Sequence, residues 1–340
     1  MAAATPTFSV GSFAVSGVIF PGLVADERVY DLRGIVDAAD TRDMFAEWDR
    51  HLDTIAAVIA SGGLRERESW TMDELDVRPP VQPAGNLIAA GANYRTHIIQ
   101  LSVAHGLGRS DATKEELAVE AAAEADARAA HGDPYVWIGL PSAMSGAFDE
   151  VRLPEVGAQA DWELELGVVI RTAAYQVPLE DAMSHVAGYT ICNDLTLRTL
   201  VPRPDIPMMG TDWFRSKNHP TFYPTGPVLV PARFVEDPTA LRIQFSLNGE
   251  VKQDQTSDDM LFGIPELISY ISSFVELRPG DMLITGSPAG NGSHWGRFLQ
   301  DGDELEATIT GLGTQRQTVR GPRGQTPPWY RHRALPGAAV

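Results

Sequence analysis

The chain predicts a β-rich α+β fold, and three observations carry that prediction. Short apolar runs bounded by glycine, proline and asparagine turns recur along most of its 340 residues. Helical spacing is confined to a few stretches, which argues against the regular strand–helix alternation of a doubly wound sheet. One run, Asp161-Trp-Glu-Leu-Glu-Leu-Gly-Val-Val-Ile170, alternates polar and apolar residues and then turns wholly apolar, as a strand entering a buried sheet does.

Residues 8–33 read as short strands separated by glycine and by the Ala25-Asp26-Glu27 turn. Apolar residues at helical spacing follow at 35–61, from Ile35 through Met44, Trp48, Leu52 and Ile55 to Ile59. Pro79-Pro80 and Pro83-Ala-Gly85 read as a linker, so 1–80 is a small N-terminal α/β module and 85–320 the main domain. Residues 86–94 form a strand running into a loop. Residues 112–130, rich in alanine and glutamate, form a helix with a weak apolar face, the centre of a helical insert at 105–133. Strands dominate 136–230. Residues 243–253 are a hairpin whose Asn248-Gly249 turn supplies two positive φ angles. Met260, Ile264, Leu267, Ile268 and Ile271 keep helical spacing, with Pro265 early in the helix. Arg278-Pro-Gly-Asp281 turns into a strand at 282–285, and Asp301-Gly-Asp303 into another from Glu304. Residues 321–340 are a loop-like tail.

Bulk properties remove several function classes. With 27 basic and 45 acidic residues the net charge is −18, which argues against nucleic acid or an anionic membrane as partner. No apolar run approaches the roughly 18 residues of a membrane span. The N-terminus, Met-Ala-Ala-Ala-Thr-Pro-Thr, lacks the basic and apolar regions of a signal peptide, so a cytoplasmic location is expected. The single cysteine, Cys192, excludes an internal disulfide and a cysteine-based zinc site.

Three carboxylates stand out. In the 161–170 run, Asp161, Glu163 and Glu165 fall on one strand face and Trp162, Leu164 and Leu166 on the other. Alternation alone fits a solvated strand face, and Asp194, in Ile191-Cys-Asn-Asp194, alone fits a turn cap. Yet the strand continues into Val168-Val169-Ile170, and burying like charges side by side is costly unless a cation lies between them. A hard divalent cation such as Mg²⁺ suits carboxylate oxygens.

Seven segments in order carry a resemblance: Gly91-Ala-Asn-Tyr94-Arg-Thr-His97, Pro141-Ser-Ala-Met-Ser-Gly146, Asp161-Trp-Glu163-Leu-Glu165-Leu, Asn193-Asp194, Ser216-Lys217 with Pro224-Thr-Gly-Pro227, Asn248-Gly-Glu-Val-Lys-Gln253, and Pro279-Gly-Asp281 through Thr285-Gly-Ser-Pro-Ala-Gly290. Over residues 85–315, and less closely over 8–80, the chain resembles the fumarylacetoacetate hydrolase superfamily. The resemblance implies a mixed β-sandwich roll, a homodimer, and Mg²⁺ or Mn²⁺ held by Glu163, Glu165 and Asp194. It implies Lys217 as an active-site ammonium, His97 as the base that activates water, and N–H donors around Thr285, Gly286 and Ser287 for a substrate carboxylate. Tyr94, Arg95 and Gln253, within the matched motifs, join them as candidate substrate contacts.

Two positions depart from the pattern. Acylpyruvate-cleaving members carry His-x-x-Glu, whereas this chain reads His97-Ile-Ile-Gln100. An amide at Gln100 positions an imidazole but does not stabilise an imidazolium as a carboxylate does. Glu115, Glu116, Glu120 and Glu124 of the insert, which lies where a lid would form, are candidate replacements. Trp137-Ile-Gly-Leu140 stands where many members have a lysine, which alters the pocket wall. His294 reads as a loop histidine, and Arg198, Arg203 and Arg215 as solvated arginines that also suit a second substrate carboxylate.

The resemblance therefore implies a divalent-metal-dependent hydrolase of a C–C bond in a 1,3-dicarbonyl, acylpyruvate- or fumarylpyruvate-like, from aromatic or oxo-acid catabolism. Its ligand is a small oxo acid or diketone. Gln100 motivates an alternative on the same scaffold, an oxo-acid decarboxylase or keto–enol isomerase. A metal-binding protein without catalysis is the third reading.

Overall fold

A computed structural model describes residues 7–106, 111–324 and 327–330. The ends of the N-terminal module and of the tail, and positions 107–110 of the insert, lie outside the described residues. The fold is mixed α+β and sheet-rich, built chiefly from two stacked sheets and an N-terminal sheet, with no closed barrel among the described residues.

The central sheet has six strands in the order Val230–Pro231, Val186–Asn193, Leu164–Ile170, Met282–Ile284, Leu87–Gly91 and Tyr135–Gly139. Only the Met282–Ile284 and Leu87–Gly91 pair is parallel. Every residue of Leu164–Ile170 is buried, because both faces of this sheet are covered. One face carries Leu164, Leu166 and Val168 into a core shared with the second sheet, where Trp162 stacks on Phe245 at 5.3 Å. That second sheet orders Glu250–Thr256, Arg242–Leu247, Glu304–Ile309, Gly313–Arg320 and Val151–Arg152. Its first hairpin turns at Asn248 and Gly249, with φ of 52° and 80°.

The other face of the central sheet, through Val169, Ala187, Met282 and Ile284, packs on the helix Trp48–Ala60 and on Phe8, Val10 and Leu23. The N-terminal sheet, Ser9–Val15 through Asp76–Arg78, is further tied by reciprocal bonds between Val10 and Leu229. The segment read as a linker is itself packed. Val81 is buried, Gln82 bonds Thr41 through both its N–H and its carbonyl, and a Cβ on Gly85 would lie 2.4 Å from the Gly280 carbonyl oxygen. The helical spacing from 35 becomes regular helix only at Trp48, after a 3-10 turn at Asp43–Glu47.

The strand Leu87–Gly91 runs into the expected loop, and the chain after Tyr94 then forms the helix Arg95–His105, closed by Gly106 in the left-handed conformation. Its apolar pattern is diluted by His97, Gln100 and Ser102, because one face serves polar contacts rather than a core. The insert helix Lys114–His131 starts in a capping box, in which the Glu116 N–H donates to Thr113 Oγ1 and the Thr113 N–H donates to Glu116 Oε2. Among the described residues no helix is long and apolar enough to cross a membrane.

Candidate metal centre and active site

Strand register assembles the carboxylates. Leu164 pairs with Asn193, so the residue before one strand meets the residue after the other, and the Asp194 N–H donates to the Glu163 carbonyl at 2.8 Å. Glu163 and Glu165, two residues apart, share a face with Asp194. One oxygen from each of the three lies within 4.8 Å of the others, and all three side chains are buried. Asp194 Oδ1 is buried without a hydrogen-bond partner.

Two cations reach the cluster. Lys217, 1% exposed at the end of the short helix Trp213–Lys217, donates to Glu163 Oε2 at 2.8 Å and to Asp194 Oδ2. Arg198 donates from Nη2 to Glu163 Oε1 (2.7 Å) and from Nε to Asp161 Oδ2 (2.8 Å). Were Asp161, Glu163, Glu165 and Asp194 all ionised, four negative charges would face the two positive ones of Arg198 and Lys217, an excess of −2. The ionisation of the acids follows this imbalance. Burial alone would raise Glu163, but the charges of Arg198 and Lys217, with the His97 ring, hold it well below the usual carboxylate range. Burial and the neighbouring Asp194 push Glu165 well above that range. Burial, with Glu163 opposing Lys217, raises Asp194 to about 6. A cluster that must take up protons to stay neutral, and that keeps an unpartnered buried carboxylate oxygen, fits a divalent cation in charge and in donor type.

The remaining candidates divide. His97 is buried, with Nε2 3.6 Å from Glu163 Oε1 and Nδ1 without a partner. Gln100 does not turn to His97: its Oε1 accepts from the Gly290 N–H at 2.8 Å. The acid beside His97 is Glu163, and of the insert glutamates Glu116 is taken by the helix cap. The Gly286 N–H, expected to meet a substrate carboxylate, donates to Glu165 Oε2 at 2.7 Å. The Thr285 N–H bonds the Leu166 carbonyl, while its hydroxyl is buried without a partner. Ser287 Oγ accepts from Gln253, and Gln253 accepts from the Leu164 N–H, so Gln253 braces the acid-bearing strand from behind. Tyr94 is fully buried, its hydroxyl pushed upward in pKa by burial. Arg95 does not join the cluster: it is partly exposed and pairs with Asp126 of the insert helix.

The sequence reading missed Arg198. It is not solvated, since it lies four residues past Asp194 on a turn that folds back onto the acids. Arg203 pairs with Asp205 and Asp212, Arg215 bonds the Leu200 and Pro202 carbonyls, and His294 is exposed.

The profile described as fumarylacetoacetate (FAA) hydrolase C-terminal matches residues 86–320. The chain is 33% identical over 315 residues to a 2,4-didehydro-3-deoxy-L-rhamnonate hydrolase of Sphingomonas sp. (strain SKA58), covering 90% of this chain and 94% of that protein. It is 34% identical over 249 residues to the oxaloacetate tautomerase YisK of Bacillus subtilis (strain 168), covering 72% and 73% of the two chains. Maleylpyruvate hydrolase of Sphingobium sp. SYK-6, solved in complex with manganese(II) ion and pyruvate, shares the fold, with a TM-score of 0.69 at 24% identity over 93% of this chain and 100% of that one. With the profile running from the first strand of the central sheet to the last of the second, and a relative aligned over nearly its whole length, the chain belongs to the fumarylacetoacetate hydrolase superfamily of enzymes.

Proposed function

We propose that this enzyme is a divalent-metal-dependent hydrolase that cleaves the C–C bond between the carbonyls of an acylpyruvate-like 2-oxo acid. The observation that carries the reading is a buried cluster of three carboxylates, one oxygen of each within 4.8 Å of the others, whose Asp194 Oδ1 has no partner. Glu163, Glu165 and Asp194 would hold Mg²⁺ or Mn²⁺, which when bound would supply Lewis-acid polarisation of the substrate carbonyls. The hydrolase relative supports the reaction type.

The chain's own groups supply the rest. His97 Nδ1, which makes no hydrogen bond, takes a proton from water. Glu163, beside Nε2, steadies the imidazolium. The hydroxyl oxygen bonds to the acyl carbonyl carbon, the C–C bond to the methylene breaks, and its electron pair stays on the pyruvate fragment as an enolate. The proton on His97 then goes to that carbon, giving a carboxylic acid and pyruvate. Lys217, fixed by two carboxylates, places a positive charge beside the developing enolate. Titrating Mn²⁺ into chelator-stripped protein tests this: wild type regains cleavage of acetylpyruvate, and Glu165→Gln neither binds the ion nor cleaves. Full activity of the metal-free enzyme overturns it.

A second reading is favoured by one observation. Gln100 is committed to Gly290, and among the described residues no side chain bonds Nδ1 of His97. A keto–enol tautomerase moves a proton without activating water, and the YisK relative carries that name. An isomerised product with no oxygen drawn from water selects it.

A further inference from the structure

Beside the acid cluster stands a wall of three aromatic rings. Trp137 and Trp213 stack at 5.1 Å with 22° between their planes, and Tyr135 lies 6.1 Å from the first and 6.4 Å from the second. The Trp213 indole N–H donates to the Tyr135 hydroxyl, which fixes the two rings relative to each other. The wall meets the site at Lys217, whose Nζ lies 4.8 Å from the Trp137 centroid and 5.6 Å from that of Trp213 while bonding Glu163 and Asp194. Tyr135 and Trp137 alternate along the edge strand Tyr135–Gly139 and so share a face. That face is kept clear by a glycine: a Cβ on Gly91 would lie 2.6 Å from the Trp137 ring and 2.9 Å from that of Tyr135. Tyr135 is 45% exposed and both tryptophans are partly exposed, so the rings border solvent.

A partly exposed indole pair next to a buried ammonium favours a planar, electron-rich group lying on it. We infer that this wall is the acyl-substituent subsite, and that it selects 2-oxo acids whose substituent is a flat aromatic or conjugated group over those with a small aliphatic one. This rests on the function proposed above. The dicarbonyl head lies at the carboxylates and Lys217, and the substituent leaves along the Trp213 and Tyr135 rings. Trp213 and Trp137 are specificity-determining residues here, and neither is placed at the reacting atoms.

The test compares benzoylpyruvate with acetylpyruvate on the Mn²⁺-loaded enzyme, for wild type, Trp213→Leu and Gly91→Ala. Stacking of one ring corresponds to about a twofold to tenfold effect. Wild type is expected to show the higher kcat/KM on benzoylpyruvate. Trp213→Leu is expected to lose about fivefold more on that substrate than on acetylpyruvate, chiefly in KM. Gly91→Ala, which displaces the rings while leaving all three in place, is expected to move the same ratio in the same direction. Equal losses on both substrates, or a wild type that prefers acetylpyruvate, overturn the subsite. Absence of turnover of either substrate counts against the proposed function instead. Calorimetric binding of benzoylpyruvate then decides the subsite: weaker binding by Trp213→Leu supports it, and unchanged binding overturns it.

Discussion

Lys217 shows how closely fold and chemistry share the same residues. Its ammonium is buried among Glu163, Asp194 and two indole faces, and it supplies half of the positive charge set against four acids. Removing one partner of a buried ion pair leaves the other uncompensated, at a cost of about 3 kcal/mol or more. Lys217→Met is expected to lower the urea-unfolding free energy of metal-free protein by about 3 kcal/mol, and to lower turnover by about 100-fold even when Mn²⁺ is added. Unchanged stability would show that the acids are discharged by protons and not by the lysine. Much of this cluster was legible in the sequence. Glu163, Glu165, Asp194, His97 and Lys217 were read from alternation and motif order, and the structure places them together. Arg198 was not, because an arginine after a turn has no periodicity to betray where its side chain lies. Gln253 and Arg95 illustrate the converse: a motif names a position but not whether its side chain faces the site, the core or a neighbouring helix.

Among the elements, the insert helix Lys114–His131 packs on the neighbouring helix Arg95–His105 and is largely exposed elsewhere. Its buried residues are Leu117, Ala121 and Ala125, Arg95 pairs with Asp126, and Arg128 donates to the Ala92 carbonyl. Such an element opens locally at low cost. Thr113→Ala removes one half of the capping box, a loss of about 1 kcal/mol. It is expected to speed amide hydrogen exchange across 114–131 while leaving Mn²⁺ affinity within about twofold. Exchange that spreads into Leu164–Ile170 would contradict the picture of a separable element. The hairpin at Asn248-Gly249, the insert helix and the helix Ile264–Ser272 were all legible, since each carries its own local signal in turn chemistry or spacing. Arg95–His105 was not. Its polar residues face contacts such as Gln100 with Gly290 that only the tertiary fold creates.

At the scale of the whole molecule, the N-terminal sheet, the central sheet and the second sheet interlock through two hydrophobic cores, and the acids lie at one end of the central strands. A cation bound there stabilises the folded state as a whole by mass action. At a free Mn²⁺ concentration about 100-fold above its dissociation constant, the gain is about 2.7 kcal/mol. The melting temperature is therefore expected to rise on Mn²⁺ addition for wild type and to stay put for Asp194→Asn. The sheet class was legible because buried runs and turns recur along the chain. The packing of the proline-rich segment at Val81 was not, since prolines mark a bend whether or not it is covered. The most direct test of the central claim is single-enzyme turnover of acetylpyruvate in ¹⁸O-labelled water, with and without Mn²⁺ after chelator treatment. The account predicts metal-dependent release of pyruvate and of acetate carrying one labelled oxygen. Cleavage undiminished without metal, or an isomerised or decarboxylated product without label, would contradict it.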